Sequence, residues 1–145
     1  MRNMRSRSTR IVILLSLLAL AATLAPAAMA LRSAAPPVLK QRDARFGNIL
    51  ARRDHQALYY WNVEKRDFKV HCTGACAVAW PPLTVRSAAA VPRKIAGISG
   101  VFGTIRRPDG KLQVTRNRLP VYTYAHERPN QVLCDNVDGW FVVRV

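Results

Sequence analysis

Methionine is missing from most of this 145-residue chain: Met1, Met4 and Met29 are the three it has, and none follows residue 30. The remainder offers no thioether ligand, which argues against a Met-rich copper carrier. Cysteine is scarce too, at Cys72, Cys76 and Cys134. None of them stands in C-x-x-C or C-x-x-C-H, which demotes a thioredoxin-like redox site and a c-type haem attachment site. No second Cys/His pair at zinc-finger spacing accompanies them. Acidic residues number 8 against 23 Lys and Arg. A Gly-rich phosphate loop, a helical metal motif and a nucleophile–base pair are all lacking, so the sequence predicts neither an enzyme nor a cofactor. Helical periodicity is sparse beyond residue 30, which leaves strands as the main building blocks.

The first thirty residues carry a different pattern. Arg2, Arg5, Arg7 and Arg10 precede the apolar run Ile11 to Leu20, Pro26 breaks the run, and Ala28-Met29-Ala30 supplies a small-x-small site. This is the layout of a secretory signal peptide, with cleavage expected after Ala30 and a secreted or periplasmic product. The apolar run is shorter than the roughly 20 residues a spanning helix needs. No cysteine lies near the cleavage site, so a lipid-anchored product is not expected. Residues 31–45, with Ala34-Ala35-Pro36-Pro37, read as an extended linker, and 46–145 as one small domain.

Without the four leader arginines, 19 basic residues face 8 acidic ones, a net charge of +11. Such an excess favours weak association with anionic membrane or cell-wall surfaces. The basic residues are scattered and no nucleic-acid motif accompanies them, so nucleic acid is not an expected partner.

Candidate strands are Phe46–Leu50, Ala57–Val63, Val101–Arg106, Lys111–Arg116, Leu119–Tyr124 and Trp140–Val145, separated by turn signals such as Pro108-Asp109-Gly110 and Asn117-Arg118. Thr73–Ala79 is the one plausible helical turn, stopped by Pro81. Phe46-Gly47-Asn48-Ile49 is echoed by Phe102-Gly103-Thr104-Ile105, and each is followed by an aromatic segment, Leu58-Tyr59-Tyr60-Trp61 or Val121-Tyr122-Thr123-Tyr124. The expected fold is mainly β, a small single domain of two pseudo-repeated β-hairpin units with a short helical turn between them.

His71-Cys72-Thr73-Gly74-Ala75-Cys76 followed by Trp80-Pro81-Pro82-Leu83 is the densest stretch of special residues. In an oxidising compartment a structural disulfide is the first expectation. A Cys72–Cys76 bond closes five residues and contributes roughly 2 kcal/mol, whereas a bridge to Cys134 closes about sixty and contributes roughly 4 kcal/mol. Energy favours the longer loop and geometry has yet to decide. The alternative is a copper or thiol-redox accessory role, with His71, Cys72, Cys76 and Cys134 as candidate ligands and His55 and His126 in reserve. Trp80, Tyr59, Trp61, Tyr122, Tyr124 and Trp140 suit the core of a small β-domain better than a ligand platform. Glu64 and Glu127 occupy matching places behind the aromatic segments, which suggests a repeated structural role, capping or pairing with Arg.

These residues resemble a family. Cys72-x3-Cys76-x3-Trp80-Pro81-Pro82-Leu83 is similar to the signature of the secreted-repeat lipoprotein family of unknown function, which also carries a Tyr-x-aromatic-x-x-Asp motif in two copies. Tyr59-x-Trp61-x-x-Glu64 and Tyr122-x-Tyr124-x-x-Glu127 match that motif with Glu in place of Asp. The segment Arg107-Pro108-Asp109-Gly110-Lys111-Leu112-Gln113 resembles the family's Arg-x-Asp-Gly-x-x-Gln, and Asp138-Gly139-Trp140-Phe141-Val142 its terminal Gly-x-Trp-x-Val segment. The likeness implies an exported β-rich domain with no established enzymatic activity. Because the family block carries the C-x3-C pair without Cys134, it also implies a Cys72–Cys76 disulfide.

Overall fold

A computed structural model describes residues 35–145. The segment read as a signal peptide lies outside the described residues. Among the described residues eight short strands form three antiparallel sheets with short helical turns between them, a small, mainly β domain.

The first hairpin pairs β1 (Val38–Asp43) with β2 (Gly47–Arg52). Asp43 closes its turn by accepting the backbone N–H groups of Arg45 and Phe46 (2.8 and 3.1 Å), while Gly47 takes the positive φ (72°) that the turn requires. β1 lies inside the stretch expected to be linker, so that expectation is corrected for Val38–Asp43. Val38, Lys40 and Arg42 alternate with Leu39, Gln41 and Asp43, and the pair with β2 buries the apolar end at Val38. The charged and polar residues along it masked a strand that its partner imposes.

β3 (Tyr59–Trp61) pairs with β8 (Trp140–Val142), joining the middle of the chain to its end. A 3-10 turn at Asn62–Arg66 follows β3, and α1 (Ala75–Ala79) is a single helical turn. In the third sheet β4 (Thr84–Val85), β5 (Phe102–Arg106) and β7 (Leu119–Pro120) all pair with β6 (Leu112–Arg116). Asn117 and Arg118 have φ of 49° and 70°, the pair of positive values that a two-residue type I′ turn demands between β6 and β7. The strand expected over Leu119–Tyr124 shrinks to two residues, because beyond Pro120 the backbone bonds diverge to several partners.

Those divergent bonds organise the domain. Leu50 N–H donates to Val143 C=O (2.8 Å), Val143 N–H to Leu58 C=O (2.8 Å), and Leu58 N–H to Leu50 C=O (3.0 Å), closing a ring of three. The same ring recurs with Val114, Leu83 and Val121, at 2.8, 3.1 and 3.1 Å in the same order. Between the two rings Tyr59 and Tyr122 exchange both backbone bonds (2.8 and 2.9 Å). An approximate two-fold axis through this pair would generate that pattern. It matches Leu50 to Val114, Leu58 to Val121 and Val143 to Leu83, and hence β2 to β6. The echo of Phe46-Gly47-Asn48-Ile49 in Phe102-Gly103-Thr104-Ile105 is therefore corrected: one lies on the second strand of its hairpin, the other on the first. The side chains of the ring residues, with Val38 and Phe102, form one apolar cluster, and Ile49, Tyr59, Trp80, Tyr122 and Trp140 centre a second.

Candidate functional site

The second cluster gathers most of the residues singled out from the sequence. Trp80 and Trp140 stack face to face, with ring centroids 3.9 Å apart and planes within 8°. Trp61 extends the column beyond Trp140 (5.4 Å, 6°) and Tyr124 extends it beyond Trp80 (4.7 Å, 34°). Tyr59 meets Trp80 edge-on and Tyr122 meets Trp140 edge-on. Tyr59, Tyr122, Trp80 and Trp140 are buried, whereas Trp61 and Tyr124, at the ends of the column, are half-buried. Trp61 is held there by its indole N–H, which donates to Asp138 C=O (3.2 Å), and by the absence of a side chain at Gly139, where a Cβ would sit 3.4 Å from Trp61 Nε1. Pro81 and Pro82 carry Trp80 into place: Pro81 C=O accepts Thr123 N–H (2.9 Å), and Pro82 bridges Tyr122.

The two phenols reach across the middle of the fold. Tyr122 O–H donates to Glu64 Oε1 (2.7 Å), and Tyr59 O–H donates to Glu127 Oε1. Glu64 Oε1 also accepts the backbone N–H groups of His71 and Cys72 (2.9 and 3.3 Å), and Glu127 Oε1 accepts Leu133 N–H (2.6 Å). Each glutamate thus bonds a tyrosine and a returning loop, where sequence reasoning expected capping or pairing with Arg. In both carboxylates the second oxygen is buried without a hydrogen-bond partner. Burial therefore outweighs the donors and raises the pKa of both Glu64 and Glu127. It likewise pushes both phenols well above the usual tyrosine value, helped by the adjoining carboxylates.

Cys72 and Cys76 form a disulfide, with Cα atoms 5.2 Å apart. The bond ties the loop that Glu64 holds to the start of α1. Arg107, buried and missed as a site residue, secures the same loop from the other side: its Nη2 donates to Cys72 C=O (2.9 Å) and its Nη1 to Gln113 Oε1. Gln113 Nε2 in turn donates to Val121 C=O (2.9 Å). Their spacing across the Pro108-Asp109-Gly110 turn was the available signal: the hairpin sets Arg107 against Lys111 and Gln113 against Ile105, which leaves positions 107 and 113 as diagonal neighbours within reach of long side chains.

The candidate metal ligands are not assembled into a site. Cys72 and Cys76 are bonded to each other, His71 Nε2 sits 3.0 Å from both Asp67 carboxylate oxygens, and His55 Nδ1 sits 3.0 Å from Gln41 Oε1. His126 packs edge-on against Tyr124. Cys134 is a free, half-buried thiol beside Tyr124 and Glu127, with its pKa raised by burial. Among the described residues no group of three His, Cys, Asp or Glu side chains is placed to hold a metal ion. The surface clefts lined by Tyr60 and Lys65, by Thr84 and Arg86, and by Lys69 and Val70 contain neither glutamate nor any histidine.

No family model matches the chain, and no curated protein or solved structure matches it either.

Proposed function

We propose that the chain is an exported, non-enzymatic envelope protein akin to the secreted-repeat lipoproteins it resembles in sequence, with a disulfide-pinned core and a basic exterior that meets anionic surfaces. The observation that carries this reading is that the candidate glutamates, their tyrosines and the C-x3-C cysteines are bonded within the fold, while Cys134 and the exposed histidines assemble no site among the described residues. Glu64, Glu127, Tyr59 and Tyr122 bond one another, and Cys72 is bonded to Cys76. A catalytic or ligand-exchanging group needs access to a reacting partner, and these have none. A disulfide also persists best outside the reducing cytosol, in keeping with the leader-like first thirty residues.

Expression with a C-terminal tag, followed by cell fractionation, N-terminal sequencing and non-reducing mass spectrometry, tests the reading. An exported form beginning at Leu31 and carrying the Cys72–Cys76 bond is expected. Retention in the cytosol with both thiols reduced overturns the export reading. Tight copper(I) binding lost in Cys72→Ser overturns the structural role of the disulfide.

A further inference from the structure

We propose that the cleft lined by Tyr60, Lys65, Arg116, Leu119, Val121 and Val143 binds a small carboxylic acid with a short apolar tail. Its volume is about 200 Å³, roughly seven water molecules' worth. Leu119, Val121 and Val143 give it an apolar floor, and Tyr60, stacked on Phe141 (5.6 Å, 19°), supplies a fixed ring on one wall. Two cations stand at its rim. Lys65 Nζ lies 4.6 Å over the Tyr60 ring and donates to its hydroxyl (3.3 Å). Arg116 is held by Ser99, through Nε to the carbonyl (2.9 Å) and Nη2 to Oγ (3.0 Å). Among the described residues neither cation has a carboxylate within 4 Å.

The matching half of the fold sharpens this contrast. Arg116 corresponds to Arg52 through the two backbone rings, and Arg52 is neutralised by Asp54, two residues on. Where Asp54 stands in the first half, the second has Arg118, which is spent on the ring of Phe68 (4.1 Å). One half thus closes its arginine internally, whereas the other leaves Arg116 without a carboxylate, and Lys65 from the first half adds a second unmatched positive charge beside the apolar hollow. Partial burial lowers the Arg116 pKa, a shift that a neighbouring anion would oppose. The apolar floor penalises a strongly hydrated, multiply charged anion such as phosphate, whereas a carboxylate can stay at the rim while its tail fills the hollow. The inference holds wherever the protein resides, and so stands or falls apart from the export reading.

Titration of the ¹⁵N-labelled chain with hexanoate, followed by NMR, tests it. The amides of Tyr60, Leu119 and Val121 are expected to shift saturably with a Kd of about 1 mM, in keeping with eight non-hydrogen ligand atoms. Lys65→Gln, at an exposed position, is expected to weaken binding about fivefold, and Arg52→Gln to leave it unchanged. Arg116→Gln is expected to abolish binding, with the dispersed spectrum reporting that the fold survives. Equal affinity for hexanol or hexylamine overturns the proposal. So does the absence of a saturable shift at roughly ten times the expected Kd, or an equal loss in Arg52→Gln and Lys65→Gln.

Discussion

At the scale of single residues, the fold depends on two glutamates that most small β-domains would keep at the surface. Tyr122→Phe removes one of the three donors on Glu64 Oε1 while keeping the ring against Trp140, so the loss isolates the hydrogen bond. A bond to a charged acceptor in a buried setting is worth about 2 kcal/mol, and urea denaturation of Tyr122→Phe is expected to show a loss of that size. A loss under about 0.5 kcal/mol would mean that the crossed pair is incidental. Sequence reasoning found Glu64 and Glu127 because they recur behind matching aromatic segments. Their partners stayed hidden, since Tyr59 and Glu127 are brought together only by tertiary pairing across 68 positions. Arg107 was masked differently: arginine is seldom buried, and its hydrogen bonds to Cys72 and Gln113, with Asp109 Oδ1 3.8 Å from its Nε, account for its burial here.

At the scale of elements, the strands that sequence alone could place are those bounded by strong turn signals, such as β5 and β6 around Pro108-Asp109-Gly110. Of those it missed, β1 turns Lys40 and Arg42 to solvent and β4 has only two residues, so their pairing with β2 and β6 decides their conformation. The small loop closed by Cys72 and Cys76 was the shorter of the bridges weighed, and its modest entropy sets its worth. Cys76→Ser is expected to lower unfolding stability by about 2 kcal/mol while leaving the antiparallel sheets intact by far-ultraviolet circular dichroism. Loss of the whole fold in that variant would show the bond to be a precondition of folding. The loop is also held by Glu64 and Arg107, which is why a folded variant is expected.

At the scale of the whole molecule, charge and pH response follow from opposing groups. Glu64 and Glu127 have folded pKa values raised above the ordinary 4.5, so the folded state holds their protons more tightly. Their contribution is full below the unfolded pKa and is lost as pH rises through the folded values. Asp54 acts in reverse: its hydrogen bond to Arg52 lowers its pKa to about 2, and its contribution fades as pH falls from 3.8 toward that value. The melting temperature is therefore expected to peak in acid solution above the Asp54 range and to decline as pH rises through the folded values of the two glutamates. In Glu64→Gln/Glu127→Gln the alkaline decline should flatten; an unchanged slope would assign it elsewhere. Binding to anionic vesicles is expected to weaken steeply between 50 and 300 mM salt, as screening predicts for a scattered positive charge, and salt-independent retention would contradict that picture. The backbone rings carry a consequence for assembly. Each takes two residues from one half of the sequence and one from the other, and each glutamate finds its phenol in the opposite half. If the backbone is severed near Ala88–Ala90, neither fragment alone holds the residues of a ring or the phenol that covers its carboxylate, and recovery of the dispersed NMR spectrum is expected only when the two are mixed. The architecture is that of a tethered heterodimer of its own halves, in which the connecting segment keeps the partners at high local concentration and adds Val91 and Ile98 to their shared core.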